Sequence, residues 1–191
     1  MEKSKILIIV DPQNDFISGS LYNEKAIRVV PNIVKKIEEF KGDAILVTRD
    51  THTENYLETN EGKLLPISHC IKGTNGWYVN KDIASALHKR ELEESCMVMY
   101  FDKSSFGSEE LVEIVKTLGK IAKNTGKDFE VEICGFVTNI CVISNAIPIK
   151  TALHEFGDVT IDASCCAGSS EKLHNEALNV METNQIITIN R

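Results

Sequence analysis

Short apolar runs alternate with longer helical patterns along the whole chain. The first run, residues 5–10, is apolar at almost every position and ends at Asp11-Pro12. A strand with apolar side chains on both faces is typical of a parallel sheet that is covered on both sides. The alternation therefore predicts an α/β fold: a doubly wound, mostly parallel six-stranded sheet with helices on both faces.

The same patterns give approximate bounds for the individual elements. Pro31 is compatible with the first helix only if that helix begins close to it, and Pro148 is expected to kink or interrupt a later helix. The predicted strands are residues 5–10, 43–48, 96–101, 129–134, 159–163 and 185–189, and the predicted helices are residues 26–40, 82–92, 108–123, 139–155 and 170–182.

Length and composition restrict the class of protein. A chain of 191 residues predicts a single domain, 1–191, without an interdomain linker. The net charge of −7 and the lack of a basic face argue against nucleic-acid binding. The first apolar run is too short for a signal peptide or a membrane span, so we expect a cytoplasmic protein that binds no membrane. Its six cysteines are then expected to be mostly reduced.

A long polar stretch, residues 51–80, separates two predicted elements. A loop of this length inside a compact domain is usually functional or disordered. Two imidazoles with one or two carboxylates suit a divalent metal such as Zn²⁺, Mn²⁺ or Fe²⁺. The alternative is a solvated polar loop with unrelated histidines. The side chains that could bind a metal here are Asp50, His52, Glu54, Glu58, Glu61 and His69.

Reactive side chains follow four of the predicted strands. Asp11, Asp50 and Lys103 come directly after the first three strands, and Cys141 lies just past the fourth. Open α/β sheets bind ligands outside the carboxyl ends of their strands. We therefore expect these four side chains to converge on one edge of the sheet.

Cys141 is the best candidate for a nucleophile among the six cysteines. It is predicted near the start of a helix, where the helix N-terminus lowers the pKa of a thiol and offers N–H donors to an oxyanion. Asp11 could take the thiol proton, and Lys103 could balance the resulting charge. The alternatives are that Cys141 is another buried apolar residue, that Asp11 only caps a turn, and that Lys103 is solvated.

Several segments, in order, resemble the isochorismatase-like superfamily of cysteine hydrolases, and within it the nicotinamidase (pyrazinamidase) family. The resemblance covers nearly the whole chain. It rests on ILIIVDPQNDF at 6–16, DTH at 50–52, LPISHCIKGT at 65–74, KSSF at 103–106, GFVTNICV at 135–142, and DA at 162–163 followed by AGS at 167–169.

This resemblance implies roles for particular residues. Asp11, Lys103 and Cys141 would form a catalytic triad. A cis peptide between Phe136 and Val137 would aim the N–H groups of Val137 and Cys141 at an oxyanion. Phe16 would contact the substrate ring, with Trp77 or Tyr78 as further sources of a ring contact.

The resemblance also implies a metal centre in the long loop. Asp50, His52 and His69 would bind a divalent metal, first of all zinc, with manganese or iron as alternatives. Some related proteins add a fourth protein ligand from this loop. Glu61 is the first choice for that ligand here, because it stands shortly before His69, and Glu54 is the second.

The implied activity is hydrolysis of nicotinamide to nicotinate and ammonia through a thioester on Cys141. The substrate would be a small-molecule amide, the product could enter NAD salvage, and the protein would assemble as a homo-oligomer. A first alternative is a hydrolase of the same superfamily that acts on a ureido or carbamoyl substrate. A second is a non-catalytic metal- or redox-responsive protein that uses His52, His69 and the Cys165-Cys166 pair.

Overall fold

The computed structural model describes residues 3–93 and 96–191. Each predicted strand and each predicted helix has a counterpart in it. The strands of this part of the chain are β1 (Lys3–Val10), β2 (Ala44–Asp50), β3 (Met97–Lys103), β4 (Asp128–Phe136), β5 (Asp158–Ala167) and β6 (Ile187–Ile189). The helices are α1 (Glu24–Glu39), α2 (Asn60–Leu64), α3 (Lys81–Leu92), α4 (Glu109–Asn124), α5 (Ile143–Leu153) and α6 (Glu171–Thr183).

All the strand pairs are parallel, and the strands are arranged in the order β3-β2-β1-β4-β5-β6. Residues 6–10 of β1 are buried at every position, as a strand covered on both faces requires. Helix α1 packs beside α3, and α4 packs beside α5. The predicted doubly wound α/β fold is therefore confirmed.

The central strand β1 marks the point where the strand order reverses. Strand β2 pairs with one edge of β1, and β4 pairs with the other. In open α/β sheets the crevice at such a point, outside the carboxyl ends of the strands, is where ligands bind. Asp11 follows β1 and Cys141 follows β4, so the topology places both residues at this crevice.

Gly135 allows β1 and β4 to approach each other closely at this point. Its φ is +121°, a region that residues with a side chain rarely adopt. A Cβ atom at this position would lie 2.1 Å from the carbonyl oxygen of Val10. Because Gly135 has no side chain, the end of β4, which leads to Cys141, can pack against the end of β1, which leads to Asp11.

Helix α1 corrects the expectation for Pro31. The helix begins at Glu24 with Asn23 as its N-cap and continues through Pro31 to Glu39. Pro31 lies on the exposed side of the helix, where a carbonyl group that loses its N–H partner can be hydrated. The opposite side packs into the core through Ala26, Val30, Ile33 and Ile37.

The predicted helix at 139–155 is divided into three parts. A π-helical turn, Thr138–Val142, carries Cys141, α5 follows it, and a 3₁₀ turn, His154–Phe156, ends the segment. Pro148 lies inside α5 without ending it. Pro148 has no N–H to donate to the carbonyl oxygen of Ser144, four residues earlier in the helix. Gly107 packs against this oxygen, because a Cβ atom at Gly107 would lie 2.8 Å from it.

The long polar stretch at 51–80 is ordered around short elements. It contains a 3₁₀ turn at Tyr56–Glu58 and the short helix α2. One isolated parallel bridge joins His52 to Ile71, and an antiparallel bridge joins Gln13 to Val79. Within 3–93 and 96–191, no helix is both long enough and apolar enough to span a membrane.

A half-buried charge cluster ties α1 to the sheet. The ammonium group of Lys36 lies 2.7 Å from Asp162 Oδ2 and also contacts the carboxylate of Glu132. Ser164 donates to Asp162 Oδ1 from both its backbone N–H and its hydroxyl, at 3.0 and 2.7 Å. Burial raises the pKa of Asp162, but the bonds from Lys36 and Ser164 outweigh burial and hold that pKa below its ordinary value.

We expect Asp162→Asn to reduce the free energy of unfolding by about 1–2 kcal/mol at pH 7, because Lys36 loses a buried partner. A depressed carboxyl pKa stabilises the folded state above the unfolded pKa of about 3.9. This contribution disappears as the pH falls through the folded-state pKa. The difference between Asp162→Asn and wild type should therefore shrink towards pH 3, as measured by urea unfolding at several pH values.

The exposed carboxylate of Glu38 on α1 provides the control. Glu38→Gln should change the free energy of unfolding by less than about 0.5 kcal/mol at every pH tested. A difference for Asp162→Asn that is the same at pH 3 and pH 7 would contradict the assignment of a depressed pKa to Asp162.

Candidate active site

Four of the predicted side chains meet at the carboxyl edge of the sheet. Lys103 lies at their centre. Its Nζ is 2.7 Å from Asp11 Oδ2, 3.5 Å from Asp50 Oδ1 and 3.7 Å from Cys141 Sγ. All four residues are buried, with no more than 5% of the surface of any of them exposed. They thus form one ionic group enclosed by protein.

Asp11 is held at the end of β1 by Thr48 on the neighbouring strand. The Thr48 hydroxyl donates to Asp11 Oδ1 at 2.7 Å, and the Asp11 N–H approaches Thr48 Oγ1 at 3.1 Å. Burial raises the pKa of the Asp11 carboxyl, and the positive charge of Lys103 offsets only part of that rise. A carboxylate with a raised pKa accepts a proton more readily, as a general base must.

Cys141 lies on the π-helical turn that follows β4. The peptide bond between Phe136 and Val137, just before this turn, is cis. The expectation of a lowered thiol pKa at a helix start is wrong for this site. Burial raises the pKa of the Cys141 thiol, and the nearby Asp11 carboxylate raises it further, while Lys103 lowers it. Burial and Asp11 thus act against the thiolate form of Cys141, and Lys103 acts in its favour.

Lys103 keeps its positive charge although it is buried. Burial by itself lowers the pKa of an ammonium group, but Asp11, Cys141 and Asp50 reverse this and leave the Lys103 pKa raised. The ammonium group also donates to the carbonyl oxygen of Ser105 at 3.0 Å. It is therefore a fixed cation beside the thiol.

Asp50, His52 and His69 form a second, adjoining group. The Nε2 atoms of His52 and His69 lie 2.9 and 3.3 Å from Asp50 Oδ2. One ligand atom from each of the three residues can be chosen such that all lie within 4.8 Å of one another. Two imidazole nitrogens and a carboxylate oxygen are a donor set that suits zinc and other divalent transition metals.

The surroundings of the two imidazoles orient them towards Asp50. The ring of Tyr56 lies 4.6 Å from the His52 ring and 4.8 Å from the His69 ring, between centroids. His69 Nδ1 is 2.8 Å from the carbonyl oxygen of Ile67, so that the other ring nitrogen, Nε2, faces Asp50. In metal-binding histidines, a hydrogen bond from the ring nitrogen that does not bind the metal commonly fixes the tautomer.

The structure separates the acidic residues of the loop. Glu61 Oε1 lies 3.8 Å from His52 Nε2 and 3.7 Å from His69 Nε2. Glu54 and Glu58 are exposed. Helix α2 turns Glu61 towards the imidazoles, and the Thr59 hydroxyl caps this helix by accepting from Gly62 N–H. Glu61 is therefore the loop glutamate next to the histidines.

Gln13 is a buried residue that the sequence did not single out. Its Nε2 donates to the carbonyl oxygens of Asp50 and Trp77 at 2.8 and 2.9 Å, and its Oε1 accepts from Asp50 N–H at 2.7 Å. The side chain thus fixes the backbone of Asp50 in place. Its position two residues after Asp11 was the available signal, but the sequence does not show that the amide points inward.

Asp15 is a second buried residue that the sequence left without a role. Its Oδ2 accepts from Cys70 N–H at 2.7 Å, and its Oδ1 accepts from Ser20 N–H at 2.9 Å. Cys70 directly follows His69. Asp15 therefore ties the segment that carries His69 to the segment that carries Phe16.

A cavity of about 650 Å³ opens beside both groups. Phe16, the predicted ring contact, lines it together with Cys141, Val137 and His69. Trp77 and Tyr78 are not among the residues of its wall. Trp77 instead lies under the guanidinium of Arg49, 4.4 Å from the ring centroid. The other lining residues are Ser20, Leu21, Tyr22, Asn23, Glu24, Asp50, Glu61, Leu65, Ile67, Phe106, Ile140 and Ser169.

The six cysteines are all free and buried. Cys141 is the one that lines the cavity. Cys165 and Cys166 lie at the end of β5, and neither is close enough to His52 or His69 to join their group of possible metal ligands. The geometry thus gives no support to a combined site of these histidines and the cysteine pair.

Comparison with solved structures gives the same fold. The nicotinamidase/pyrazinamidase of Bacillus subtilis is 22% identical, with a TM-score of 0.79 over 98% of this chain and 100% of that one. The pyrazinamidase/nicotinamidase of Streptococcus mutans is 27% identical, with a TM-score of 0.78 over 97% and 100%. The pyrazinamidase of Pyrococcus horikoshii, solved in complex with zinc, is 26% identical, with a TM-score of 0.72 over 98% and 99%.

Comparison at the sequence level assigns the family. Curated protein sequences give no significant match. The family profile of the Isochorismatase domain matches residues 5–191, which is nearly the whole chain. This match includes both the buried ionic group around Lys103 and the adjoining group of Asp50, His52 and His69. The chain belongs to the isochorismatase family.

Proposed function

We propose that this protein hydrolyses the carboxamide of nicotinamide, releasing nicotinate and ammonia. The observation that carries the proposal is that Cys141, in contact with Lys103 and so with Asp11, lines the same cavity as His69 of the adjoining imidazole group. Two relatives at 26–27% identity, described as pyrazinamidase or pyrazinamidase/nicotinamidase, support an amide of a nitrogen heterocycle as substrate.

In the proposed reaction, Cys141 Sγ attacks the carboxamide carbon while its proton passes to the Asp11 carboxylate. Burial raises the pKa of the Asp11 carboxyl, which favours its acceptance of this proton, whereas the raised pKa of the Cys141 thiol opposes the transfer and makes an adjacent base necessary. Lys103 remains protonated and stabilises the sulfur as it loses its proton. Backbone N–H groups of Val137 and Cys141 receive the negative oxygen of the tetrahedral intermediate.

Collapse of this intermediate breaks the carbon–nitrogen bond. Asp11 returns its proton to the nitrogen, ammonia leaves, and an acyl thioester remains on Cys141. A water molecule then attacks the thioester while Asp11 accepts one of its protons. Nicotinate departs, and the proton returns from Asp11 to the sulfur, so that the enzyme is restored.

A divalent metal would be held by Asp50, His52, His69 and Glu61, with zinc as the first choice and manganese or iron as alternatives. When bound, such a metal supplies a Lewis-acidic partner for the pyridine nitrogen and so orients the ring. Phe16 would pack against that ring. Residues 1–191 would then form one cysteine-hydrolase domain with a metal-binding loop at about 51–80. Homo-oligomeric assembly and a cytoplasmic location stay predictions.

We expect Cys141→Ala to reduce ammonia release from nicotinamide by at least about 1000-fold, because the acyl intermediate can no longer form. The bound-metal content should not change, since Cys141 is not among the proposed ligands. Cys96→Ala is the matched control, because Cys96 is also buried but lies outside the cavity. Turnover within tenfold of wild type in a folded Cys141→Ala protein would overturn the proposed mechanism.

Metal analysis tests the second part of the proposal. Purified protein should contain about one equivalent of a divalent metal, and His69→Ala should lose it. Glu61→Gln should weaken binding by about 10–100-fold, the range found for groups that support a metal site. Glu54→Gln provides the control and should bind as wild type does, because Glu54 is exposed.

Two results would favour other readings. Equal losses in Glu61→Gln and Glu54→Gln would reject Glu61 as the additional ligand. A protein that binds no stoichiometric metal, ignores nicotinamide and hydrolyses a ureido or carbamoyl compound in a Cys141-dependent way would replace the proposed substrate while keeping the Asp11–Lys103–Cys141 group.

A further inference from the structure

Asn145 is a fully buried amide within an apolar part of helix α5. Its neighbours on the buried side of this helix are Ala146, Ile149 and Leu153. A buried amide is costly unless its donors and its acceptor find partners. The packing of α5 against the sheet requires no polar group at this position, so the partners of Asn145 indicate what the residue does.

The side chain of Asn145 joins backbone groups from two segments. Its Nδ2 donates to the carbonyl oxygen of Cys141 at 2.8 Å and to that of Phe106 at 3.2 Å. Its Oδ1 accepts from the N–H of Ser108 at 3.0 Å. Both donor hydrogens and the oxygen are used, so the amide holds three main-chain groups at once.

One of these two segments carries Cys141, and the other directly follows Lys103. Cys141 lies on the π-helical turn, and Lys103 leads directly into the loop at 104–108. Ser105 in this loop accepts from Lys103 Nζ at 3.0 Å. Ser108 ends the loop as the N-cap of α4, its hydroxyl accepting from Leu111 N–H. The loop is therefore fixed at both ends, and Asn145 fixes it against the turn of Cys141.

The close backbone approach of the loop to α5 strengthens this connection. Gly107 lies so near Ser144 that a Cβ would come within 2.8 Å of its carbonyl oxygen. No side chain can separate the two segments there. The amide of Asn145 thus spans a narrow gap, and its three hydrogen bonds set the relative position of loop and turn.

We propose that Asn145 is a positioning residue that holds the Lys103 ammonium beside the Cys141 thiol, where their atoms lie 3.7 Å apart. Asn145 does not line the cavity and so acts through Cys141 and the 104–108 loop. The expected effect of Asn145 substitutions on amide hydrolysis rests on the proposed function. Their expected effect on the reactivity of the Cys141 thiol is independent of the substrate.

The experiment compares two substitutions of similar size. Asn145→Leu removes all three hydrogen bonds, whereas Asn145→Asp keeps an acceptor for Ser108 N–H and loses the donors to Cys141 and Phe106. Both should lower kcat for nicotinamide by about 10–100-fold, the effect expected when reacting groups are displaced by about an ångström. KM should change by less than about threefold, because Phe16 and the metal-binding residues are unaffected.

A second measurement does not depend on the substrate. Iodoacetamide should alkylate Cys141 at least about tenfold more slowly in both variants than in wild type, because the displaced Lys103 no longer stabilises the thiolate. Peptide mass spectrometry assigns the modified residue. Ile149→Ala is the matched control, since Ile149 is buried on the same helix but makes none of the three hydrogen bonds of Asn145. It should keep the wild-type kcat and alkylation rate while lowering the melting temperature.

The outcomes separate this proposal from the proposed function. If wild type does not act on nicotinamide but both Asn145 variants lose Cys141 reactivity, the positioning role is supported and the substrate is rejected. If folded Asn145→Asp retains a wild-type alkylation rate, the positioning role is overturned, whatever the activity. If Asn145→Leu does not fold, Asn145→Asp alone decides. A loss of kcat in Ile149→Ala equal to that in the Asn145 variants would also overturn the positioning role, because it would show that any loss of α5 stability lowers kcat.

Discussion

The buried ammonium group of Lys103 is the constraint around which this site is built. Removing an ammonium group from water costs several kcal/mol unless opposite charges surround it. Asp11 and Asp50 supply those charges from the ends of two neighbouring strands, at 2.7 and 3.5 Å. Moving either carboxylate would remove one of the two negative charges that balance this cation. The register of β1, β2 and β3 is therefore coupled to the electrostatics of the site.

Asp50 connects the two groups of the site through its two oxygens. Oδ1 faces Lys103, and Oδ2 faces the imidazoles of His52 and His69. The nucleophile group and the proposed metal group are therefore not independent modules that happen to share a cavity. Gln13, which fixes the backbone of Asp50 on both its N–H and its carbonyl side, stabilises the two groups together.

The sequence predicted the fold and the meeting of Asp11, Asp50, Lys103 and Cys141 for one reason. Parallel strands end at the same edge, so residues that directly follow buried strands come together whatever the loops do.

The position of Glu61 could not be derived in this way. It depends on a five-residue helix, too short to leave a clear pattern, and on the packing of Tyr56 against both imidazoles. Likewise, the inward direction of Asn145 and Gln13 depends on tertiary contacts. The raised pKa of Cys141 depends on burial that its helix-start position did not reveal.

The distribution of the six thiols has a practical consequence. Five of them lie outside the cavity, in the core or in buried strands and loops, while Cys141 opens onto a space of about 650 Å³. A ring-shaped electrophile that fits this space would therefore react once per chain in the folded protein. Such a compound would serve as an active-site titrant. It would count the competent molecules in a preparation, and any fraction that reacts more than once would report unfolded chain.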